Sequence, residues 1–148
     1  MRSNCIYGRT LCAALAAALL CVVVSAAGVT WDQNTSSLWV ANAHAIDLRG
    51  VRTTAEPADL RLVDRELTGE SCVLAAVPGG ADEFAEVSVP DDGYVERLPI
   101  AGTQLAVARC GVTYAKLLID ASSYDPGADS PNAAGLTLTY VLSTTEER

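Results

Sequence analysis

Few residues of this 148-residue chain have the types and spacing that catalysis or metal binding requires. His44 is the only histidine, and no G-x-S-x-G motif supplies a nucleophile to pair with it. Asp120, Asp125 and Asp129 lie close together in the sequence, but their spacing is not that of an EF-hand calcium loop. No glycine-rich phosphate-binding motif is present. We therefore expect no enzymatic activity, no cofactor and no metal; a small hydrolase or metal-dependent enzyme is the least favoured alternative.

The five cysteines form two groups. Cys5, Cys12 and Cys21 lie in or beside an apolar N-terminal segment, where we expect them to be unpaired apolar residues. Cys72 and Cys110 lie further along, each in an apolar, strand-like run. Two distant cysteines and one histidine do not complete a tetrahedral zinc site without carboxylates. The sequence therefore predicts a Cys72–Cys110 disulfide, which on the chain-entropy model stabilises the fold by roughly 3–4 kcal/mol.

The N-terminus has the pattern of an export signal. Arg2 and Arg9 precede the uncharged segment Leu11–Val29, in which Ser25, Ala26 and Ala27 offer a cleavage site to a signal peptidase. The same segment is about as long as the ~20 residues that a membrane-spanning helix needs. A cleaved signal peptide and a retained signal-anchor helix both remain open. Either one places the rest of the chain outside the cytoplasm.

The chain then divides into the signal or anchor, residues 1–30, and one exported domain, residues 31–148. All 18 acidic residues but only eight of the ten basic ones lie in the domain, so its net charge is about −10. Such an acidic surface excludes a nucleic-acid binder, which needs basic residues to displace counterions from phosphates. We expect an extracytoplasmic protein, either secreted or single-pass with its C-terminal domain outside.

The domain is predicted to be mainly β, a small antiparallel β-sandwich or barrel. Short apolar or alternating runs recur about every ten residues and end in glycine or proline turns. Gly111 separates two of these runs, which form a hairpin or one strand kinked at a bulge. The runs with strand character are Leu38–Val51 with Ile46 and Leu48 inward, Ser71–Val77, Ala85–Val89, Tyr94–Ile100, Thr103–Cys110, Val112–Ile119 and Leu136–Leu142.

One short helix is predicted over residues 57–67. The segment begins with a proline, and Leu60, Val63 and Leu67 recur at helical spacing. A strand with Leu60 and Leu62 on one face is the alternative.

A long loop, residues 122–135, carries the candidate binding residues Tyr124, Asp125 and Asp129, because an aromatic side chain on a long loop is a common recognition site. Asn34 begins an Asn-Thr-Ser triplet and is a possible glycosylation site. The sequence thus favours a non-enzymatic binding or structural module of the cell surface or envelope. Its expected partner is another protein or a surface glycan. The alternative is an accessory subunit of a membrane or surface assembly, held by helix 11–29, whose small residues allow close helix packing.

Overall fold

The computed structural model describes residues 29–54, 58–130 and 133–144. The predicted signal or anchor over 1–30, with Cys5, Cys12 and Cys21, lies outside the described residues except for its last two positions. By its internal contacts the chain divides into Met1–Thr30 and Trp31–Arg148, and the second unit carries the fold. None of the described helices is long and apolar enough to cross a membrane.

The described residues form two antiparallel sheets and almost no helix, so the prediction of a mainly β protein is confirmed. In the first sheet the strand order is β1–β11–β10–β9–β7, and β2 also pairs with β11; in the second it is β4–β3–β5–β6–β8. The strands are β1 Thr30–Trp31, β2 Ser36–Ala41, β3 Ala45–Asp47, β4 Arg52–Thr54, β5 Leu60–Val63, β6 Glu66–Gly69, β7 Val73–Val77, β8 Arg97–Pro99, β9 Gly102–Cys110, β10 Thr113–Ala121 and β11 Gly135–Thr144.

The main core lies between the inner faces of the two sheets. Leu117 in β10 pairs with Ala106 in β9 and with Tyr140 in β11, and all three side chains are buried. They share one cluster with Leu60, Leu62 and other residues of the second sheet. The Tyr140 hydroxyl donates a hydrogen bond of 2.6 Å to the Leu48 carbonyl oxygen, and burial raises the pKa of this phenol to about 12.

The predicted helix over 57–67 is wrong across its described part, which forms the β5–β6 hairpin. Leu60, Leu62 and Leu67 are all fully buried, and Leu62 pairs directly with Leu67. Asp64 makes the turn with a left-handed φ of +51°. The three leucines therefore point to the core from two strands, where their side chains pack against the opposite sheet.

The alternating run Ala85–Val89 is not a strand. A 3-10 helix, Ala81–Glu86, occupies its first part, and an extended segment without strand pairing follows. The β9–β10 hairpin is present, and Gly111 turns it with a φ of +66°, a conformation that side chains other than glycine rarely adopt. The predicted strand at the C-terminal end is β11.

Cys72 is bonded to Cys110, as the sequence predicts. The two residues lie directly beyond the pair Val73 and Arg109 on neighbouring strands β7 and β9, with their Cα atoms 4.2 Å apart. Cys72 belongs to the main core, and Cys110 packs against it. The bond therefore joins the ends of two neighbouring strands at the rim of the core.

Candidate binding surface

The outer face of the first sheet carries an exposed row of four side chains. Trp39 in β2 pairs with Thr137 in β11, Thr137 pairs with Asp120 in β10, and Asp120 pairs with Thr103 in β9. All four are exposed. We call these residues the outer row. Because neighbouring strands lie about 4.8 Å apart, the row extends across four strands for roughly 14 Å.

Trp39 is held in place by a glycine beneath its ring. The indole lies against the backbone of Gly135, which is two residue pairs along the β2–β11 ladder and therefore on the same face, and a Cβ atom at Gly135 would collide with the ring. Aromatic side chains commonly cover glycines in sheets in this way, because the missing side chain leaves a gap above the backbone. The other part of the ring is open, and Trp39 is 49% exposed. The packing therefore fixes a large aromatic surface that faces solvent.

Asp120 is oriented by hydrogen bonds to only one of its two carboxylate oxygens. Oδ1 accepts from the Ser122 hydroxyl at 2.7 Å, from the Ser122 backbone N–H at 3.2 Å and from the Thr103 hydroxyl at 3.5 Å. The Ser122 hydrogen bonds are the main reason why the pKa of this carboxyl is lowered, so it is ionised at neutral pH. Oδ2 accepts no hydrogen bond from the described residues, so its lone pairs are available to an external donor.

Hydroxyl groups border the outer row on one side. Ser37 and Thr139 form the next pair on the same face of the β2–β11 ladder, two residues along each strand, and their hydroxyl oxygens lie 3.3 Å apart. Together with Thr137 and Thr103 they give the surface a neutral, hydrogen-bonding character around the tryptophan. The only charged side chain of the outer row is Asp120.

Further along the same face, the sheet is covered by the chain itself. Leu105 and Val107 in β9 are fully buried under the segment 81–90, which contributes Phe84 and Val87 to a second, smaller core. We call this segment the cover. Its aliphatic contacts exclude water from the middle of the outer face.

Lys116, the only lysine of the chain, binds the cover through its ammonium group. Its ammonium group donates a hydrogen bond of 3.0 Å to the carbonyl oxygen of Ala85 and lies 5.2 Å and 5.3 Å from the ring centres of Phe84 and Trp31. The residue is only 6% exposed, and burial lowers the pKa of its amine. Two aromatic faces and one carbonyl thus stabilise a cation that is withdrawn from water.

Beside the disulfide lies a shallow depression of about 330 Å³, lined by Arg49, Arg52 and Asp59 among others. The Asp59 carboxylate accepts hydrogen bonds from the Leu48 N–H at 2.9 Å and from the Ser71 hydroxyl at 3.0 Å. These hydrogen bonds give Asp59 a structural role, because they connect the turn after β3 to the start of β7.

Asp59, Cys72 and Cys110 form the one group among the described residues whose ligand atoms lie close enough to hold a metal ion. The two sulfur atoms are bonded to each other, and thiolates are what a metal binds. Asp120, Asp125 and Asp129 are not part of that group.

Tyr124 of the predicted binding loop is half-buried rather than fully displayed. It packs against the main core, its hydroxyl donates a hydrogen bond to the Asp64 carbonyl, and burial raises its pKa. Asp125 accepts a hydrogen bond from the Gly127 N–H at 3.1 Å, which shapes the loop, and Asp129 is exposed. These contacts give Tyr124 and Asp125 structural roles; ligand binding by the three residues stays a prediction.

His44 and Asn34 both lie on the surface. The described hydrogen bonds of His44 are made by its backbone, with Ala41 and Leu62. Asn34 donates from its side chain to the Asp32 carboxylate at 3.0 Å, and its exposure leaves glycosylation a prediction.

Sequence reasoning missed Trp39 as a candidate, because a lone tryptophan in an apolar run resembles a core residue. The residues of this surface are far apart in the sequence. Trp39, Gly135, which lies 96 positions later, and Asp120 in a third strand come together only through the register of the strands. The chain matches no protein-family model, no curated protein and no solved structure. Its function is therefore inferred from its own residues.

Proposed function

We propose that this protein is a non-enzymatic, extracytoplasmic binding module whose contact surface is the outer row. The observation that carries the proposal is the half-exposed ring of Trp39, held against Gly135. Tryptophan is among the residues that most often dominate binding energy at interfaces. Fixing a side chain before binding also avoids an ordering cost of about 0.5–1.5 kcal/mol per residue.

Two features support a location outside the cytoplasm. The Cys72–Cys110 bond is compatible with an oxidising compartment. Arg2 and Arg9 followed by the uncharged segment Leu11–Val29 have the pattern of an export signal. The strongly acidic domain resists unspecific association with anionic lipid. The partner is a component of the cell surface or envelope, either another protein or a glycan, and the membrane itself is contacted only if segment 11–29 is retained.

A cell-surface binding assay tests the proposed function. The full chain, with a tag at its C-terminus, is incubated with intact cells of the producing organism or with their isolated surface material. We expect saturable binding that falls about tenfold or more in Trp39→Ala, as for an interface hot spot.

Val112→Ala is the matched control, because Val112 is a hydrophobic residue that is 78% exposed at the β9–β10 turn, away from the outer row. This variant should bind like the wild type. Thermal melting of each variant verifies that it is folded. Equal binding by wild type and folded Trp39→Ala would contradict the proposal.

Membrane fractionation with N-terminal sequencing tests the location. A mature chain that begins near Gly28 and is found outside the cell supports secretion, and an intact Met1 in the membrane fraction supports a signal anchor. Recovery of the intact chain from the cytoplasm alone would contradict both forms of the proposal.

A further inference from the structure

We infer that the ligand of the outer row is a neutral glycan, an inference that rests on the proposed function and specifies its ligand. The surface combines one flat aromatic ring, one carboxylate oxygen that accepts no hydrogen bond from the described residues, and several hydroxyl groups. Each of these matches a different part of a sugar chain.

The ring of Trp39 matches the apolar face of a pyranose. The C–H bonds on such a face are weakly positive at hydrogen and pack on the electron-rich face of an aromatic ring. Because Gly135 lies under one side of the indole, only the other side is available, and a sugar ring stacks there without moving the side chain.

Asp120 matches the hydroxyl groups of a neighbouring sugar unit. A carboxylate accepts but does not donate hydrogen bonds, and a bond to an ionised oxygen is about twice as strong as a neutral one. Its Oδ1 is occupied by Ser122 and Thr103, so Oδ2 is the oxygen available to the ligand. The Thr137 hydroxyl, between Asp120 and Trp39, both donates and accepts.

The spacing of the row favours a chain of linked sugars over a small cation. Trp39 and Asp120 are separated by two strand spacings, roughly 10 Å, which is comparable to two linked pyranose units. A quaternary ammonium would need aromatic and carboxylate groups around a single point. The two residues are too far apart to surround one.

Charge favours a neutral glycan over an acidic one. The exported domain carries a net charge of about −10, and the outer row adds an ionised carboxylate at the contact itself. Sulfated or uronate-rich polysaccharides would meet like charge at long range and at the surface.

The test uses the full-length protein and six-unit oligosaccharides of defined linkage. The neutral probes are hexamers of β-1,4-glucose, β-1,4-N-acetylglucosamine, β-1,4-mannose, β-1,4-xylose and α-1,4-glucose; a heparin hexasaccharide is the anionic probe. Binding is measured by titration calorimetry and by tryptophan fluorescence. We expect at least one neutral hexamer to bind and heparin not to bind.

Substitutions then locate the contact. Trp39→Ala should weaken the binding of that hexamer about tenfold, and Trp39→Phe, which keeps a ring, should weaken it less. Asp120→Asn should weaken it several-fold, because a neutral amide oxygen is a poorer acceptor. Trp31→Phe leaves Trp39 as the only tryptophan, so its fluorescence change on binding should persist. Val112→Ala should bind like the wild type.

The failure of the glycan inference is distinguishable from the failure of the proposed function. If no neutral hexamer binds at millimolar concentration, or if Trp39→Ala binds a hexamer as well as the wild type, the glycan inference is overturned. If Trp39-dependent binding to the cell surface survives periodate oxidation of sugars and is abolished by protease, the ligand is a protein, and only the proposed function stands. If no surface binding depends on Trp39, both fail.

Discussion

Two parts of the outer face of the first sheet differ in their exposure: one is covered by another segment of the chain, and the other faces solvent. In the middle of the outer face, Leu105 and Val107 are fully buried under the cover, residues 81–90. At one end, no described segment covers the outer row, although this row contains the large hydrophobic side chain of Trp39. The exposure of Trp39 is therefore a local property of the outer row, because the chain covers the aliphatic residues nearby on the same face.

The covered part and the outer row contribute differently to the free energy of folding. Burial of aliphatic surface contributes about 25 cal/mol per Å², so the contact between the cover and the sheet stabilises the fold. Trp39 packs against the backbone of Gly135 through one part of its ring and remains 49% exposed. The covered part therefore contributes mainly to stability, and the open part leaves surface available for contact.

The largest expected effect is a loss of stability confined to the covered part. Leu105→Ala should lower the free energy of unfolding by about 2–4 kcal/mol, because it leaves a cavity under the cover. Thr137→Ala in the outer row should cost less than about 1 kcal/mol, since this side chain is exposed. Urea denaturation of both variants measures the difference. Similar losses would show that the two parts are not distinct.

A smaller effect on stability is expected from the contact between Gly135 and Trp39. Gly135→Ala should cost about 1–3 kcal/mol by forcing the indole away from the backbone. The same substitution in a Trp39→Ala background should cost much less, because nothing then lies over the new Cβ atom. A double-mutant cycle from denaturation curves gives the coupling energy, with Trp39 fluorescence as a second readout. The contact carries no coupling if Gly135→Ala costs the same in both backgrounds.

The smallest effect concerns the pH dependence of the cover. Because the pKa of Lys116 is lowered in the folded state, the unfolded chain binds more protons near its ordinary pKa of 10.5. The stability contribution of this residue therefore rises with pH as its amine loses its proton. Wild type should gain stability relative to Lys116→Met as the pH rises through the alkaline range towards 10.5, because the pKa of Lys116 is lowered in the folded state.

The comparison with Lys116→Met isolates this effect. Burial raises the pKa of Tyr94, Tyr124 and Tyr140, so their contributions fall with alkaline pH, but they do so in both proteins. Urea denaturation at a series of pH values gives the difference. A constant difference over this interval would mean that the amine titrates as in the unfolded chain.

The sequence predicted the strands whose pattern is local and unambiguous. Leu136, Leu138 and Tyr140 alternate with polar or exposed residues because β11 has one face in the core. The β5–β6 hairpin was missed because a two-residue turn reverses the chain between Leu62 and Leu67, and the resulting spacing also fits a helix.

The candidate surface was less predictable than the fold. The sequence indicated Asp120 only as one of three closely spaced aspartates, whereas the structure places it in a strand, two strands away from Trp39. Strand register decides which distant residues become neighbours, and composition or periodicity along the chain does not contain it.

The Cys72–Cys110 bond also determines how the molecule responds to force. The chain between the two cysteines leaves the first sheet after β7, adds β8 to the second sheet and returns as β9, and it includes the whole cover. Tension applied at the two ends of the protein passes through the sulfur atoms and leaves this loop unloaded. Full extension is therefore shorter by the 38-residue separation of the cysteines, which corresponds to roughly 130 Å of contour length.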